Sequence, residues 1–257
     1  MFEKAKLIGK GKVKDIYETE DGNIIFHYTD RVTAFDGLKA DVFVEKGRLT
    51  CELAAFWFDY LRNEGIENHF IDLVKPDAMM VEKLQILPIE VICRNFLTGT
   101  LLKRFKKGEV SLPQGMKGEE GEPFPEGGYI EFTTKFEERD RPVSRKEILE
   151  EKKWLSVEEL NEVEEITRKV NTIMSDYLDS KGIILVDFKL EFGKDKNGKI
   201  KLADEVGTPD VCRFWLKEEF EKGKIVRLDK DVFRREDGNL IDAYSYIYNL
   251  IKGDNTT

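Results

Sequence analysis

Three charged residues alternate with apolar ones in the run ILVDFKLEFG, residues 184–193. Ile184, Val186, Phe188, Leu190 and Phe192 share one parity, and Asp187, Lys189 and Glu191 share the other. A β-strand sends alternate side chains to opposite faces, so an acid, a base and an acid line one face here. A turn-like KDKNG follows, then KIKLADEV. If Asn197-Gly198 makes a two-residue hairpin turn, Glu191 sits directly opposite Asp204. Like charges facing each other on neighbouring strands are destabilising. A proton, a lysine or a divalent cation reconciles such a pair, and magnesium needs only one or two carboxylates when phosphate oxygens and water complete its shell. A solvated face neutralised by Lys189, or a register slipped by one residue, is the other interpretation open at this point.

Four further stretches carry candidate chemistry. In IGKGKVKDIYE, Gly9, Gly11, Lys10, Lys12 and Lys14 lie between β-like runs. Glycines let a backbone approach phosphate and lysines supply charge. No Walker A loop is present, and the pattern is nearer to the strand–turn–strand glycine loop of kinases. In CRNFLTGTLLKRF, Arg94 and Asn95 end a strand-like run, and Thr98, Gly99 and Thr100 open a helix whose free N–H groups suit an anion. In DEVGTPDVCRFW, Thr208-Pro209-Asp210 forms a turn ahead of Arg213. In YTDRVTAFDG, an acidic turn at Asp36-Gly37 follows an apolar run. Taken singly, each is equally an exposed turn or an ordinary helix cap.

The elements that must position these residues follow from periodicity. Residues 1–45 are β-rich, with Asp21-Gly22 turning a hairpin. Residues 50–64 form a helix capped by Thr50 and ended by Gly65. Residues 79–84 and 89–94 are strands around QILP, and 106–128 is a long Gly/Pro/Glu-rich surface excursion. Residues 156–181 form the clearest helix, with Ser156 and Glu159 as a capping box and Val157, Leu160, Val163, Val170, Met174 and Leu178 on its apolar face. A last helix runs through LIDAYSYIYNLI. The 257 residues allow one large domain or two small ones, and a two-lobed α+β arrangement breaks near residues 80–90.

Composition narrows the partners. A net charge of -9 argues against coating nucleic acid, and no apolar run approaches a membrane span. The stretch MFEKAKLIGKGKVK has no apolar signal core, so a cytoplasmic location is the expectation. Cys51, Cys93 and Cys212 show no paired spacing, and His27 and His69 are isolated, which disfavours a zinc site or a disulfide framework.

In order along the chain, GKVKDIY, DRVTAFDG, PIEVICRNFLTGT, VDFKLEFG, DEVGTPDVCRFW and DVFRR together resemble the SAICAR synthetase family of purine biosynthesis. That resemblance implies a two-lobed α+β fold. A small antiparallel β-rich lobe with a kinase-like glycine loop (1–84) would sit over a larger α+β lobe (85–257), with ATP in the cleft. It implies an ATP-dependent carbon–nitrogen ligase that joins L-aspartate to the carboxylate of the nucleotide CAIR, giving SAICAR, ADP and phosphate through an acyl phosphate. By motif, Gly11, Lys12 and Lys14 would cover the phosphates, and Val81, Lys83 and Leu84 would lie beside adenine. Glu191 and Asp204 would bind Mg2+, and Lys135 and Lys189 would meet phosphate or carboxylate. Arg94, Thr100 and Arg213 would hold CAIR, Asp36 and Asp187 would lie near the reacting groups, Asp210 would brace the turn, and Arg234 would approach aspartate. The family also implies a homodimer. This chain departs from the pattern in its GTPD turn, in Thr100 for a frequent Ser, and in Leu216 where an acid is common. A kinase-type phosphotransferase is disfavoured, because neither HRDxxxxN nor DFG occurs. A non-catalytic nucleotide-binding module ranks below both.

Overall fold

The computed structural model describes residues 4–34, 39–125, 127–235 and 238–253. Asp36 lies outside the described residues. The chain opens with β1 (Lys6–Lys10), β2 (Lys14–Glu18) and β3 (Ile24–Tyr28), then a separate ribbon of β4 (Arg31–Ala34) and β5 (Lys39–Val42). Helix α1 (Lys46–Asn63) leads to β6 (Phe70–Lys75) and β7 (Ala78–Val81), which complete an antiparallel sheet in the order β1-β2-β3-β7-β6. Past residues 82–84 the chain enters a second antiparallel sheet. Its elements are β8 (Gln85–Arg94), α2 (Gly99–Lys106), β9 (Tyr129–Thr134), β10 (Pro142–Val143), α3 (Val157–Ser180), β11 (Ile183–Lys194), β12 (Ile200–Ala203) and β13 (Cys212–Leu216). The strand order is β10-β9-β8-β11-β12, and β13 pairs with the first half of β11 on the edge whose second half holds β12. Helices α4 (Lys217–Glu221), α5 (Asp231–Arg235) and α6 (Leu240–Lys252) follow.

One apolar core joins the two sheets. Ile24 and Val81 come from the first, Phe188 and Leu190 from the second, and Trp57, Phe58 and Leu61 from α1 between them. The α+β class expected from the sequence is the class observed. Strand β11 lies in the middle of the larger sheet, flanked by β8 on one side and by β12 and β13 on the other. Its apolar parity from Val186 to Phe192 is therefore buried, and its charged parity is held in fixed register with both neighbours. The three cysteines are buried and unbonded. No helix among the described residues is long and apolar enough to cross a membrane.

Several local expectations shift. Helix α3 carries the capping box at Ser156 and Glu159, although Val157 is exposed. Helix α1 begins at Lys46 rather than 50. Its first-turn Gly47 N–H donates to Asp30 Oδ1 at 3.0 Å, so a distant carboxylate does the capping, while the Thr50 hydroxyl donates back to the Lys46 carbonyl at 2.9 Å. QILP lies inside β8, not between strands. Pro88 is tolerated because the β8–β11 ladder shifts register between Glu191 and Gly193. The excursion after α2 folds Val110, Leu112 and Met116 around Leu97, Leu101, Leu102 and Phe124.

The expected hairpin register is also corrected. Glu191 pairs with Ala203, Phe192 with Leu202 and Lys194 with Ile200, so Asp204 lies one residue beyond the facing position. Asp195 N–H donates to the Lys199 carbonyl at 3.0 Å, which leaves Lys196, Asn197 and Gly198 as a three-residue loop. Gly198, at φ 83°, supplies the left-handed last residue that such loops take.

Candidate active site

The residues facing Asp187, Lys189 and Glu191 form two stations along β11. At the first, cross-strand register sets Arg94 of β8, Asp187 of β11 and Arg213 of β13 abreast. Arg94 Nη1 and Arg213 Nη1 both donate to Asp187 Oδ2, at 2.9 and 2.8 Å. The row continues outward in alternating sign. Arg94 Nε donates to Glu131 at 2.7 Å, and Arg104 donates to the same carboxylate at 2.6 Å. On the other side Arg213 Nε donates to Asp231 at 2.9 Å, and Arg234 donates to Asp231 at 2.6 Å. Burial works against the Arg213 charge, but Asp187 and Asp231 outweigh it and push its pKa up. Burial likewise opposes the Asp231 carboxylate, which Arg213 and Arg234 hold down at about 2.

Two backbone features aim this row. Gly99 opens α2 at φ +59°, and the Arg213 guanidinium lies where its Cβ would be, with Nη2 only 2.9 Å from that point. Any other side chain there displaces the arginine from the N-terminal turn of α2, beside Thr100. Asp229, fully buried, accepts the N–H of Phe214 at 2.9 Å and of Asp231 at 2.8 Å, tying β13 to α5. Burial, and then the nearby Asp231 charge, push the Asp229 carboxyl up to about 7.

The second station is built of acids and lysines. The acid that faces Glu191 is Glu90, on β8. Lys189 Nζ lies 2.6 Å from Glu90 and 3.2 Å from Glu191, and Lys135 also pairs with Glu191. The like-charge pair that faces across the strands is thus Glu191 with Glu90, not the Glu191–Asp204 pair expected from the sequence, and lysines reconcile it. Asp204 takes a left-handed backbone, φ 60°, just past β12. Gly207, three residues on, packs against the Trp57 ring, where a Cβ would come within 1.9 Å; this seats the acid-bearing turn on the core.

Lys14 arrives from the other sheet. Its ammonium lies 2.8 Å from Asp204 and 3.0 Å from Glu205, over the rings of Phe26 and Tyr28. Burial would raise the Asp204 pKa, but the charges of Lys14, Lys189 and Lys135 hold it well below the usual carboxylate range. Glu191 moves the other way, raised by burial and then by the Asp204 charge. The two carboxylates thus sense one another despite the shifted register. Among the described residues no group of three or more His, Cys, Asp or Glu could hold a metal. Mg2+ needs only one or two carboxylates when phosphate and water supply its remaining oxygens, and Glu191 and Asp204 are of that donor type.

Arg94, Thr100, Asp187, Lys189, Asp210, Arg213 and Arg234 line one cavity of about 540 Å3. Asp187 and Glu191 are four residues apart on one strand face, so the two stations lie about 13 Å from each other. Asp210 is buried against Lys46, with the Tyr244 hydroxyl donating to it at 3.0 Å and the Lys230 ammonium forming an ion pair at 3.5 Å, so it anchors the turn ahead of Arg213 to α1 and α6. The Gly11 N–H donates to the Lys14 carbonyl at 2.7 Å, closing a tight turn over Lys12 and Val13. Arg31 fastens that turn through the Gly11 and Lys12 carbonyls. Val81 is buried at the end of β7, while Lys83 and Leu84 lie in the crossing between the sheets, Lys83 pairing with Glu18 at 2.6 Å.

Sequence reasoning missed Glu90, Arg104, Glu131 and Asp140, which also line the cavity. Glu90 lies within the PIEVICRN run, and Arg104 lies one helical turn past Thr100, so both carried a positional signal. Asp140 carried none.

The SAICAR synthetase family model matches residues 7–250. The chain is 43% identical over 249 residues to phosphoribosylaminoimidazole-succinocarboxamide synthase of Pyrococcus horikoshii, covering 95% of each chain. It is similar to a solved SAICAR synthetase in complex with ADP, with a TM-score of 0.84 and 42% identity, over 95% of this chain and 97% of that one. A second solved structure, the SAICAR synthase of Saccharomyces cerevisiae complexed with SAICAR, has a TM-score of 0.81 at 29% identity and covers 97% of this chain and 95% of that one.

Proposed function

The chain belongs to the SAICAR synthetase family, and from that premise we propose that it condenses CAIR with L-aspartate at the expense of ATP, releasing SAICAR, ADP and phosphate. The observation that carries the proposal is the pair of stations on β11: an arginine row suited to a phosphate monoester, and a lysine–acid group suited to a polyphosphate. The relatives solved with ADP and with SAICAR support the same two ligand classes.

A carboxylate is a poor acyl donor because oxide is a poor leaving group. In the proposed route a CAIR carboxylate oxygen attacks the γ-phosphorus of ATP, and the bond to ADP breaks. The aspartate amine then attacks the acyl carbon, the bond to phosphate breaks, and the amine proton leaves with solvent. The chain's part is positioning and neutralisation. Arg94, Thr100 and Arg213 hold the CAIR phosphate, with the planar arginines matched to its oxygens. Asp187 fixes both guanidiniums, and Asp210 holds the turn that delivers Arg213. Lys189 and Lys135 offset negative charge as the carboxylate meets the triphosphate. Lys14, Lys12 and the Gly11 backbone cover the phosphates, and Val81, Lys83 and Leu84 border the adenine. Glu191 and Asp204 would hold Mg2+, which would supply positive charge against the phosphate oxygens. Arg234 offers a cation to the aspartate carboxylates, and Asp36 contacts the substrates.

The proposal treats residues 1–84 as the nucleotide-covering lobe and 85–257 as the substrate lobe of a cytoplasmic homodimer, which sedimentation and fractionation check. An assay of ADP release tests the chemistry. Release that requires CAIR and L-aspartate together is expected; comparable release without CAIR contradicts it.

A further inference from the structure

Lys14 is shared by two acids that differ in what holds them. Asp204 ends a strand in a left-handed backbone, and its side chain keeps 24% of its surface exposed. Glu205 points inward with 2% exposure. One of its oxygens accepts from Lys14 at 3.0 Å, and the other accepts the hydroxyl of Thr208, itself fully buried. A carboxylate so deeply placed is tolerated only with a cation and a donor in contact. Lys14 and Thr208 are that cation and that donor.

The two acids cannot have the same job. If Asp204 gives its oxygens to a divalent cation, as the proposed function holds, Lys14 loses its 2.8 Å partner at the moment its ammonium is needed beside phosphate. Glu205 has no such competing duty, and Thr208 fixes its side chain from the same turn. We infer that Glu205, locked by Thr208, is a positioning residue that retains Lys14 at the phosphate site when Asp204 turns to the metal. This inference rests on the nucleotide site proposed above. It adds a role for an acid that carries no chemistry of its own and for a hydroxyl that touches no ligand.

The test is a double-mutant cycle read by Mg-ADP titration of the full chain, normalised to the fraction folded. Lys14→Met reports on the site itself: weaker Mg-ADP binding is expected, and unchanged binding overturns the nucleotide site together with the inference. Thr208→Val alters no charge but frees Glu205, and Glu205→Gln removes its charge. Each is expected to raise the Mg-ADP Kd about fivefold to tenfold when Lys14 is present, the effect of losing one buried hydrogen bond. In the Lys14→Met background the same substitutions are expected to change Kd by less than about twofold, because the interaction they support is already gone. Thr208→Ser restores the hydroxyl and is expected to restore binding. Either substitution suffices if the other does not fold. A full effect that persists without Lys14 assigns Glu205 to the metal or to the general field, and overturns the retaining role. No effect in either background, with Lys14→Met still impaired, overturns the retaining role and leaves the nucleotide site standing.

Discussion

The two stations of β11 differ in how they are built. The arginine row is assembled within one sheet: β8, β11 and β13 are neighbours, and cross-strand register alone sets Arg94, Asp187 and Arg213 abreast. The lysine–acid group takes one member from the other sheet: Lys14 comes from β2, whereas Lys135 and Asp204 lie just beyond β9 and β12 of the larger sheet. One station is fixed by backbone pairing. The other depends on how the two sheets are packed together. That contrast suits a rigid cradle for one substrate facing a nucleotide that must enter and leave.

The sharpest break comes at Asp187, which is 4% exposed and shared by two arginines. Asp187→Ala removes the carboxylate that both guanidiniums share, leaving Arg94 only Glu131 and Arg213 only Asp231, and is expected to destabilise the fold by about 3–5 kcal/mol in urea titrations. It is also expected to abolish turnover. A loss below about 1 kcal/mol, the range of an exposed pair, removes the claim that the row is preformed. At the other station Lys189→Met is expected to lower kcat by about 100-fold to 1,000-fold, the size of losing one fixed stabilising charge in a reacting site. Rapid-quench kinetics check this, and an unchanged kcat takes Lys189 out of the chemistry.

How far the sequence disclosed this arrangement follows the same division. The strand alternation of Asp187, Lys189 and Glu191, the capping box at Ser156 and the motif arginines Arg94 and Arg213 were legible, because each is a local pattern. The partner of Glu191 was not. A two-residue turn at Asn197-Gly198 is the commoner choice, and a three-residue loop shifts every pair by one. Glu90 then meets Glu191 from a strand about a hundred residues earlier, and no periodicity reports that pairing. Thr50 was a reasonable cap by type, but Asp30 reaches the helix start from the link between β3 and β4. Asp204 and Lys14 were legible as residues with chemistry; their contact across the sheets was not.

A milder break acts through pH. His69 is 2% exposed, and its N–H donates to Leu202 at 3.0 Å, which ties the β6 side of the first sheet to β12 of the second. Burial holds its imidazole neutral, with the pKa lowered to about 3 from 6.5. A base whose folded pKa is depressed stabilises the fold above its ordinary pKa, and that stability is lost as pH falls between about 6.5 and about 3. About 2 kcal/mol is expected to be gone by pH 5 from this group. His69→Gln is expected to flatten that part of the pH–stability curve, as calorimetry reports. An unchanged slope assigns the acid lability to other groups. The smallest change is Gly99→Ala, expected to cost about 1–2 kcal/mol for a left-handed backbone and to raise the CAIR KM through the displaced Arg213. A rise confined to the ATP KM contradicts the placement of Arg213 in the arginine row's ligand site.

The most direct test of two separate stations is a crossed titration. Arg213→Lys and Lys14→Met are each titrated with CAIR and with Mg-ADP. Separate stations predict that Arg213→Lys, which loses the planar fork, weakens CAIR and spares Mg-ADP. Lys14→Met is predicted to do the reverse. If each substitution weakens both ligands equally, the stations are one site, and the division of labour along β11 is wrong.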